Sequence, residues 1–434
     1  MTEIIHPTAS TQFYPALPRK YIPRLGYYSL DQIKNKFPLK YHPAKYQLSV
    51  APHPKLHLPD INYIPLDEAV SELALKWRLL SSSRVAADEK TLAPNLGPEM
   101  LPFIAFAPTT EVLFKNTIVP AVKRHALESS KRQLAVDYVS YLFPFWSKKE
   151  LGDDVDIVEG ELSKLIQEGG TLPNDVGAVY LDYPPNQVSK QNAYSFEQLV
   201  KFINMHPSVL FIVDEANLYF SGVSDSANDL MFTTQYKEPA KERLTAENNL
   251  VIVTNSTTKA IGSSGCAVAV GTNPAMDLLN RTIASKLPIV LGFDKDSFKS
   301  SRQVLELERI DKGTEYFSSN AYEFRQTIVQ NREKLRTYLH GLFGNTSTSP
   351  DLIVSGARII LDATAFGFQN AGELCKALFR NYSIATKPAN VYASPKKAFE
   401  FGKYVHMTIP WNDEIMSAVS NAFQQLKNQQ RQAN

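Results

Sequence analysis

The chain has 434 residues, 44% hydrophobic and 21% charged, with a formal net charge of +2. That balance is ordinary for a globular protein and gives no general case for nucleic-acid binding. The length allows two domains with a sizeable core, and no apolar run is long enough for a membrane span. The two cysteines, Cys266 and Cys375, lie in no metal or redox spacing. The expectation is therefore a reduced compartment, no disulfide framework and no metal site. The start, MTEIIHPTAS, lacks a basic region followed by an apolar run, so no secretory signal is expected and the reading is soluble and cytoplasmic.

Residues 1 to about 60 are rich in proline, tyrosine and lysine. Arg19, Lys20, Arg24, Lys34, Lys36, Lys40 and Lys45 meet only Asp31 between them. A basic arm with aromatics suits nucleic acid or an acidic surface. The other reading is an extended arm on the body or on a partner subunit, with prolines blocking regular structure. The lack of a repeat or nucleic-acid motif favours the second. Leu66 to Leu80 has helical spacing, and Arg84 to Met100 reads as loop.

Leu101 to Ala107 is the first predicted core strand. Thr109 and Thr110 follow, at the start of a helix running to about Ser130. Hydroxyls and free N–H groups there form an anion site or a plain N-cap. Leu134 to Tyr138 is a second strand, followed by the aromatics Tyr138, Tyr141, Phe143, Phe145 and Trp146. These either stack on a planar cofactor or pack a core. Ala178 to Tyr183 is a third strand, ending in Pro184, Pro185 and Asn186. After a helix at about Ser195 to Met205, Val209 to Val213 is a fourth, ending at Asp214 and Glu215. Ser221 to Asn249 is a polar insertion, read as a flap or a solvated loop.

Leu250 to Val253 is the next buried strand. Thr254, Ser256, Thr257 and Thr258 crowd the following turn around Lys259, and Ala267 to Val270 is another short strand. Lys259 is either a loop lysine reaching solvent or a desolvated amine able to form a Schiff base. Beyond about Asp311 come a long amphipathic helix, Asn320 to Phe343, strands over Asp351 to Leu361 and Tyr404 to Ile409, and helices at about Ala371 to Arg380 and Asp413 to Asn428. The expected domains are an arm with part of a small domain over 1–65, a large domain over 66–311 and a small α+β domain over 312–434.

Strands alternating with helices predict an α/β fold with a doubly wound, mostly parallel sheet. Ligands of such sheets sit at the carboxyl ends of the strands. Thr109, Asn186, Asp214 and Lys259 all fall at such ends, which turns the reading of Lys259 from bland to functional.

The order of these residues resembles the fold type I pyridoxal-phosphate (PLP) enzymes, the class I/II aminotransferases and among them the histidinol-phosphate aminotransferase-like branch. The likeness covers roughly residues 46 to 425. DYPPNQ (182 to 187) is similar to the NPxNPTG turn, VDEAN (213 to 217) to VDEAY, and STTKAIGSSG (256 to 265) to S-x-S-K-x-x-G-x-x-G. The resemblance implies that Lys259 forms a Schiff base with the cofactor and shuttles the proton at the substrate Cα. It implies that Asp214 pairs with the pyridinium nitrogen, Asn186 holds the ring oxygen and Tyr141 stacks on the ring. Thr109, Thr110 and Ser256 would hold the phosphate. It further implies a homodimer acting on a small amino acid or amine.

The departures carry information too. Ala267 stands where the family has a phosphate-binding arginine, and Asn217 replaces the tyrosine of VDEAY. His406 stands where an arginine clamps the substrate carboxylate, and an imidazole is no substitute for a bidentate fork. His406 is therefore either a substrate contact or a core histidine. LSVAPHP (48 to 54) resembles the N-terminal substrate loop without its usual glycine or asparagine. The leading reading is an aminotransferase with an unusual substrate. The alternatives are another PLP reaction (elimination, decarboxylation, cyclisation or oxidation) and a non-catalytic binding protein. Retention of Asp214 and Lys259 speaks against the last.

Overall fold

The computed structural model describes residues 14–15, 45–48, 104–107, 110–140, 148–183, 194–215, 249–256, 267–283, 289–290, 313–344, 351–353, 358–394 and 396–433. In chain order the strands are β1 (Tyr14–Pro15), β2 (Tyr46–Gln47), β3 (Ile104–Ala107), β4 (Gln133–Asp137), β5 (Asp156–Gly160), β6 (Val176–Asp182), β7 (Leu210–Asp214) and β8 (Val251–Ser256). Then follow β9 (Ala267–Gly271), β10 (Ile289–Val290), β11 (Asp351–Ile353), β12 (Arg358–Asp362), β13 (Ile384–Ala385), β14 (Lys387–Pro388) and β15 (Tyr404–Thr408). The described residues fall into two compact units. One lies within Met1–Ala16, His53–Pro185 and Asn192–Tyr322, the other within Leu17–Pro52, Asn186–Gln191 and Glu323–Asn434.

The first unit is built on a nine-stranded sheet of order β1-β5-β4-β6-β7-β8-β9-β3-β10. Strands β5, β4, β6, β7 and β8 run parallel, and β9 is antiparallel to both β8 and β3. The central strands read as near-continuous apolar runs because both faces are covered, as a parallel sheet requires. All seven residues of β6 and all five of β7 are buried. Thr110–Leu113, the π-turn Phe114–Ile118 and Val119–Ser129 run as one continuous helix. It covers the sheet with Leu113, Phe114, Ile118 and Val122, against Tyr180, Ile212, Ile252 and Ala269. The helix Phe196–Met205 starts at a capping box in which Ser195 and Gln198 bond each other's backbone N–H.

The strands predicted at 134–138, 178–183, 209–213 and 267–270 are present within a residue or two; β3 is described only from Ile104, and β8 runs three residues past the predicted end, to Ser256. Other elements were not named from the sequence, among them strand β5, which carries Asp156 and Glu159, the helix Leu162–Glu168 and the helix Asn273–Ile283, which opens on Asn-Pro. The arm contributes β1, paired antiparallel with β5, and β2, paired parallel with β13. The helix predicted at Leu66 to Leu80 lies outside the described residues, as does the 221–249 insertion except for Asn249.

The second unit holds a four-stranded sheet of order β11-β12-β15-β14. The Asp351 to Leu361 stretch is two strands paired antiparallel. The helices Ala371–Tyr382 and Asp413–Ala433 are each longer than the spacing predicted. Register assigns the faces, because side chains alternate along a strand and partners point the same way. Ile359, Leu361, Val405 and Met407 share one apolar face, and Arg358, Ile360, His406, Thr408 and Lys387 share the other. Among the described residues no helix is long and apolar enough to cross a membrane.

Candidate active site

The carboxyl ends of the parallel strands in the first unit gather acids. Strands β6 and β7 are apolar until their last residues, Asp182 and Asp214, which are direct register partners. Asp182 is 7% exposed and Asp214 4%. Like charges facing each other in a buried sheet repel, so the surroundings must supply donors. Tyr180 supplies one. Its hydroxyl donates to Asp214 Oδ2 at 2.9 Å and lies 3.5 Å from Asp182 Oδ1. The Tyr180 ring is buried and meets Phe114 edge-on at 6.0 Å. The π-turn of the 110–129 helix thus buttresses the tyrosine that reaches Asp214.

The backbone around Asp214 is pinned on both sides. Tyr183 N donates to Asp214 O, and Glu215 N donates to Thr254 O, each at 2.9 Å. The Tyr194 hydroxyl donates to the main-chain oxygen of Asp182 at 2.9 Å. Burial, then the neighbouring Asp182, pushes that phenol well above its ordinary value, so it stays a donor. Thr254 is the register partner of Asp214 and shares its face. It is fully buried, and its hydroxyl has no hydrogen-bond partner among the described residues. Ala269 and Ala105 continue the row of Thr254, and Ser256, Ala267 and Ala107 are register partners two residues further on. The small residues Ala107, Ala267 and Ala269 are buried where the 110–129 helix begins, at Thr110, over β3 and β9.

Another strand-end acid, Asp137, belongs to the fold instead. Asp137 ends β4 and accepts from Ser163 N at 2.6 Å and Val139 N at 3.1 Å. It closes the start of the Leu162–Glu168 helix. Burial raises its pKa, and these backbone donors pull it back down.

Of the residues singled out from the sequence, the structure brings three to the ends of one sheet: Asp214 on β7, Ser256 on β8, and Thr110 at the helix start after β3. Ala267, which replaces the expected arginine, is buried in β9 opposite Ser256. Lys259, Thr109, Tyr141, Asn186 and Asn217 lie outside the described residues. Sequence reasoning missed Tyr180 and Asp182. Their only signal was a phenol and an acid, two residues apart, in an otherwise apolar run.

His406 lies in the second unit. It is 3% exposed in the middle of β15, paired with Ile360 on one side and Lys387 on the other. Its ring meets Tyr392 at 5.2 Å. The Arg358 guanidinium is 5.7 Å from the centroid of the same ring, and Lys387 Nζ is 4.7 Å from it. Thr408 N donates to Leu48 O at 2.8 Å, so the LSVAPHP segment begins against the end of β15. Among the described residues no group of three or more His, Cys, Asp or Glu could hold a metal ion.

No protein-family model and no curated protein matches the sequence. Solved structures do match. An aminotransferase from Mycobacterium tuberculosis superposes with a TM-score of 0.56 at 12% identity, over 92% of this chain and 94% of its own. The aminotransferase AspB from Helicobacter pylori gives 0.54 at 15% identity, over 90% and 94%. The histidinol-phosphate aminotransferase from Clostridium acetobutylicum gives 0.53 at 12% identity, over 88% and 99%. The fold is that of the aminotransferases. The likeness spans both units and nearly the whole of each matched chain.

Proposed function

We propose that this chain is a PLP-dependent enzyme acting on an amino acid or related amine, with transamination as its reaction. The observation that carries the proposal is Asp214, a buried carboxylate held by a tyrosine hydroxyl at the strand ends of an aminotransferase fold. The described residues fit the cofactor. A buried carboxylate at the strand ends suits a protonated ring nitrogen. The buried Thr254 hydroxyl beside it offers a further polar contact. The helix starting at Thr110 presents free N–H groups suited to a phosphate. When bound, PLP supplies an aldehyde for the substrate amine and a ring that draws electron density from the substrate Cα.

In this reading Asp214 keeps the proton on the ring nitrogen. Lys259 is the nucleophilic amine and moves the proton at the substrate Cα. Thr109, Thr110 and Ser256 donate to the phosphate, Asn186 to the ring oxygen, and Tyr141 covers the ring face. Asn217 stands near the same oxygen, and His406 belongs to the substrate side. The first unit is the cofactor-binding domain, and the assembly is a cytoplasmic homodimer.

The test is the visible spectrum of the purified full chain with added PLP. An absorbance band is expected that Lys259→Ala abolishes, and reduction by borohydride should trap the cofactor on the Lys259 peptide. Wild-type protein without a band refutes the proposal. A panel of amines and amino acids then reads out the reaction. Turnover independent of any keto acid, with release of ammonia, carbon dioxide or peroxide, refutes transamination and leaves PLP chemistry standing.

A further inference from the structure

We propose that Thr254 is a positioning residue of the cofactor site: its buried hydroxyl donates to the Asp214 carboxylate when that carboxylate holds a protonated ring nitrogen. The inference rests on the PLP reading above and adds to it a residue that acts through Asp214.

The argument begins with the row. Thr254 lies on β8, in register with Asp214 on β7 and with Ala269 on β9. Neighbours in one row point to the same face, one strand spacing apart. The Thr254 side chain therefore has a carboxylate on one side and a methyl group on the other. Ile252, two residues earlier on that face, and Ala269 belong to the apolar cluster that Leu113 and Phe114 of the 110–129 helix close over. Thr254 is fully buried there, and its hydroxyl bonds no group among the described residues.

A buried hydroxyl with no partner lowers stability, whereas an apolar group of the same shape does not. Valine has that shape, favours strands and would pack with Ile252 and Ala269. The threonine thus costs the fold stability unless its hydroxyl gains a partner. Its backbone cannot travel to find one. Glu215 N donates to Thr254 O at 2.9 Å, and β8 is paired along both edges. The partner has to come to the hydroxyl. Asp214 is the polar residue next to it in the row, and a carboxylate turns about its own side-chain bonds. From the β6 side the Tyr180 hydroxyl already donates to Asp214 Oδ2 at 2.9 Å. Thr254 supplies a second hydroxyl from the β8 side. Two neutral donors orient the carboxylate without neutralising it, so it remains a counter-ion for a ring cation.

The experiment uses the purified full chain as wild type, Thr254→Val and Thr254→Ser. Urea unfolding is followed without cofactor. Equilibrium binding is titrated with PLP and with its deaza analogue, in which C–H replaces the ring nitrogen. Without cofactor, Thr254→Val should unfold at the wild-type urea concentration or above it. It should bind PLP about ten-fold more weakly than wild type, the loss expected for one hydrogen bond to a charged group. It should bind the deaza analogue as wild type does, and Thr254→Ser should recover most of the lost PLP affinity. Thr254→Val protein that fails to fold, or that unfolds at lower urea without cofactor, overturns the proposal, because the hydroxyl then has its partner in the protein or in a bound water. An equal loss for PLP and the analogue overturns it as well, since that marks a packing effect, and so does Thr254→Ser that binds PLP no better than Thr254→Val. If wild type does not hold the analogue, the Thr254→Ser comparison decides. Wild type that binds neither form refutes the PLP reading and this inference with it, whereas unchanged PLP affinity in Thr254→Val refutes this inference alone.

Discussion

Tyr180→Phe isolates what one hydroxyl does for the acidic strand ends. The substitution keeps the ring and its edge contact with Phe114 and removes only the donor at 2.9 Å from Asp214. A hydrogen bond to a buried charged group contributes about 1.5–3 kcal/mol, and Asp214 is 4% exposed, so replacement by water is poor. Asp182, at 3.5 Å from the same hydroxyl, loses its share of the dipole as well. The expected loss is about 2 kcal/mol, a melting temperature lower by roughly 4–8 °C at about 2–4 °C per kcal/mol. Tyr194→Phe is the matched control. It removes a bond of equal length to a main-chain oxygen, a neutral acceptor worth about 1 kcal/mol. The assay is urea unfolding of the cofactor-free protein for wild type, both single variants, Asp214→Asn and the Tyr180→Phe/Asp214→Asn double variant. The cycle should return a coupling of about 1 kcal/mol or more between Tyr180 and Asp214. Tyr180→Phe protein that unfolds with wild type, or a cycle that closes to zero, refutes the reasoning.

His206 should make the protein acid-sensitive. Its Nε2 accepts from Leu172 N at 3.0 Å while Nδ1 donates to Phe202 O at 2.7 Å, a pattern that only the neutral ring satisfies. Burial lowers its pKa from 6.5, so its contribution is complete above 6.5 and is lost as pH falls through that value toward the folded one. Urea midpoints should therefore drop between about pH 7.5 and about pH 5.5 in wild type, and drop less in His206→Gln; equal drops count against this assignment. Cys375 should be inert. Burial raises its thiol to about 11, against the pull of the Thr386 hydroxyl. At pH 8 the thiolate is then about one part in a thousand, so alkylation should run roughly two orders of magnitude slower than for an ordinary thiol. Peptide-resolved iodoacetamide labelling checks this, and labelling of Cys375 as fast in the native protein as in urea overturns it.

What was legible in the sequence follows from how each feature is encoded. The strands β6, β7 and β8 have apolar runs and polar ends that stand out in one dimension, and Asp214 was visible as a strand-end residue, whereas Ser256 was read in the turn and is the last residue of β8. Strand β5 was not visible, because Asp156 and Glu159 break its apolar run; Glu159 is nonetheless fully buried, and pairing with β4 and β1 is what makes it a strand. Tyr180 looked like one more apolar residue. Its importance comes from the register that sets Asp182 opposite Asp214, and register belongs to a pair of strands.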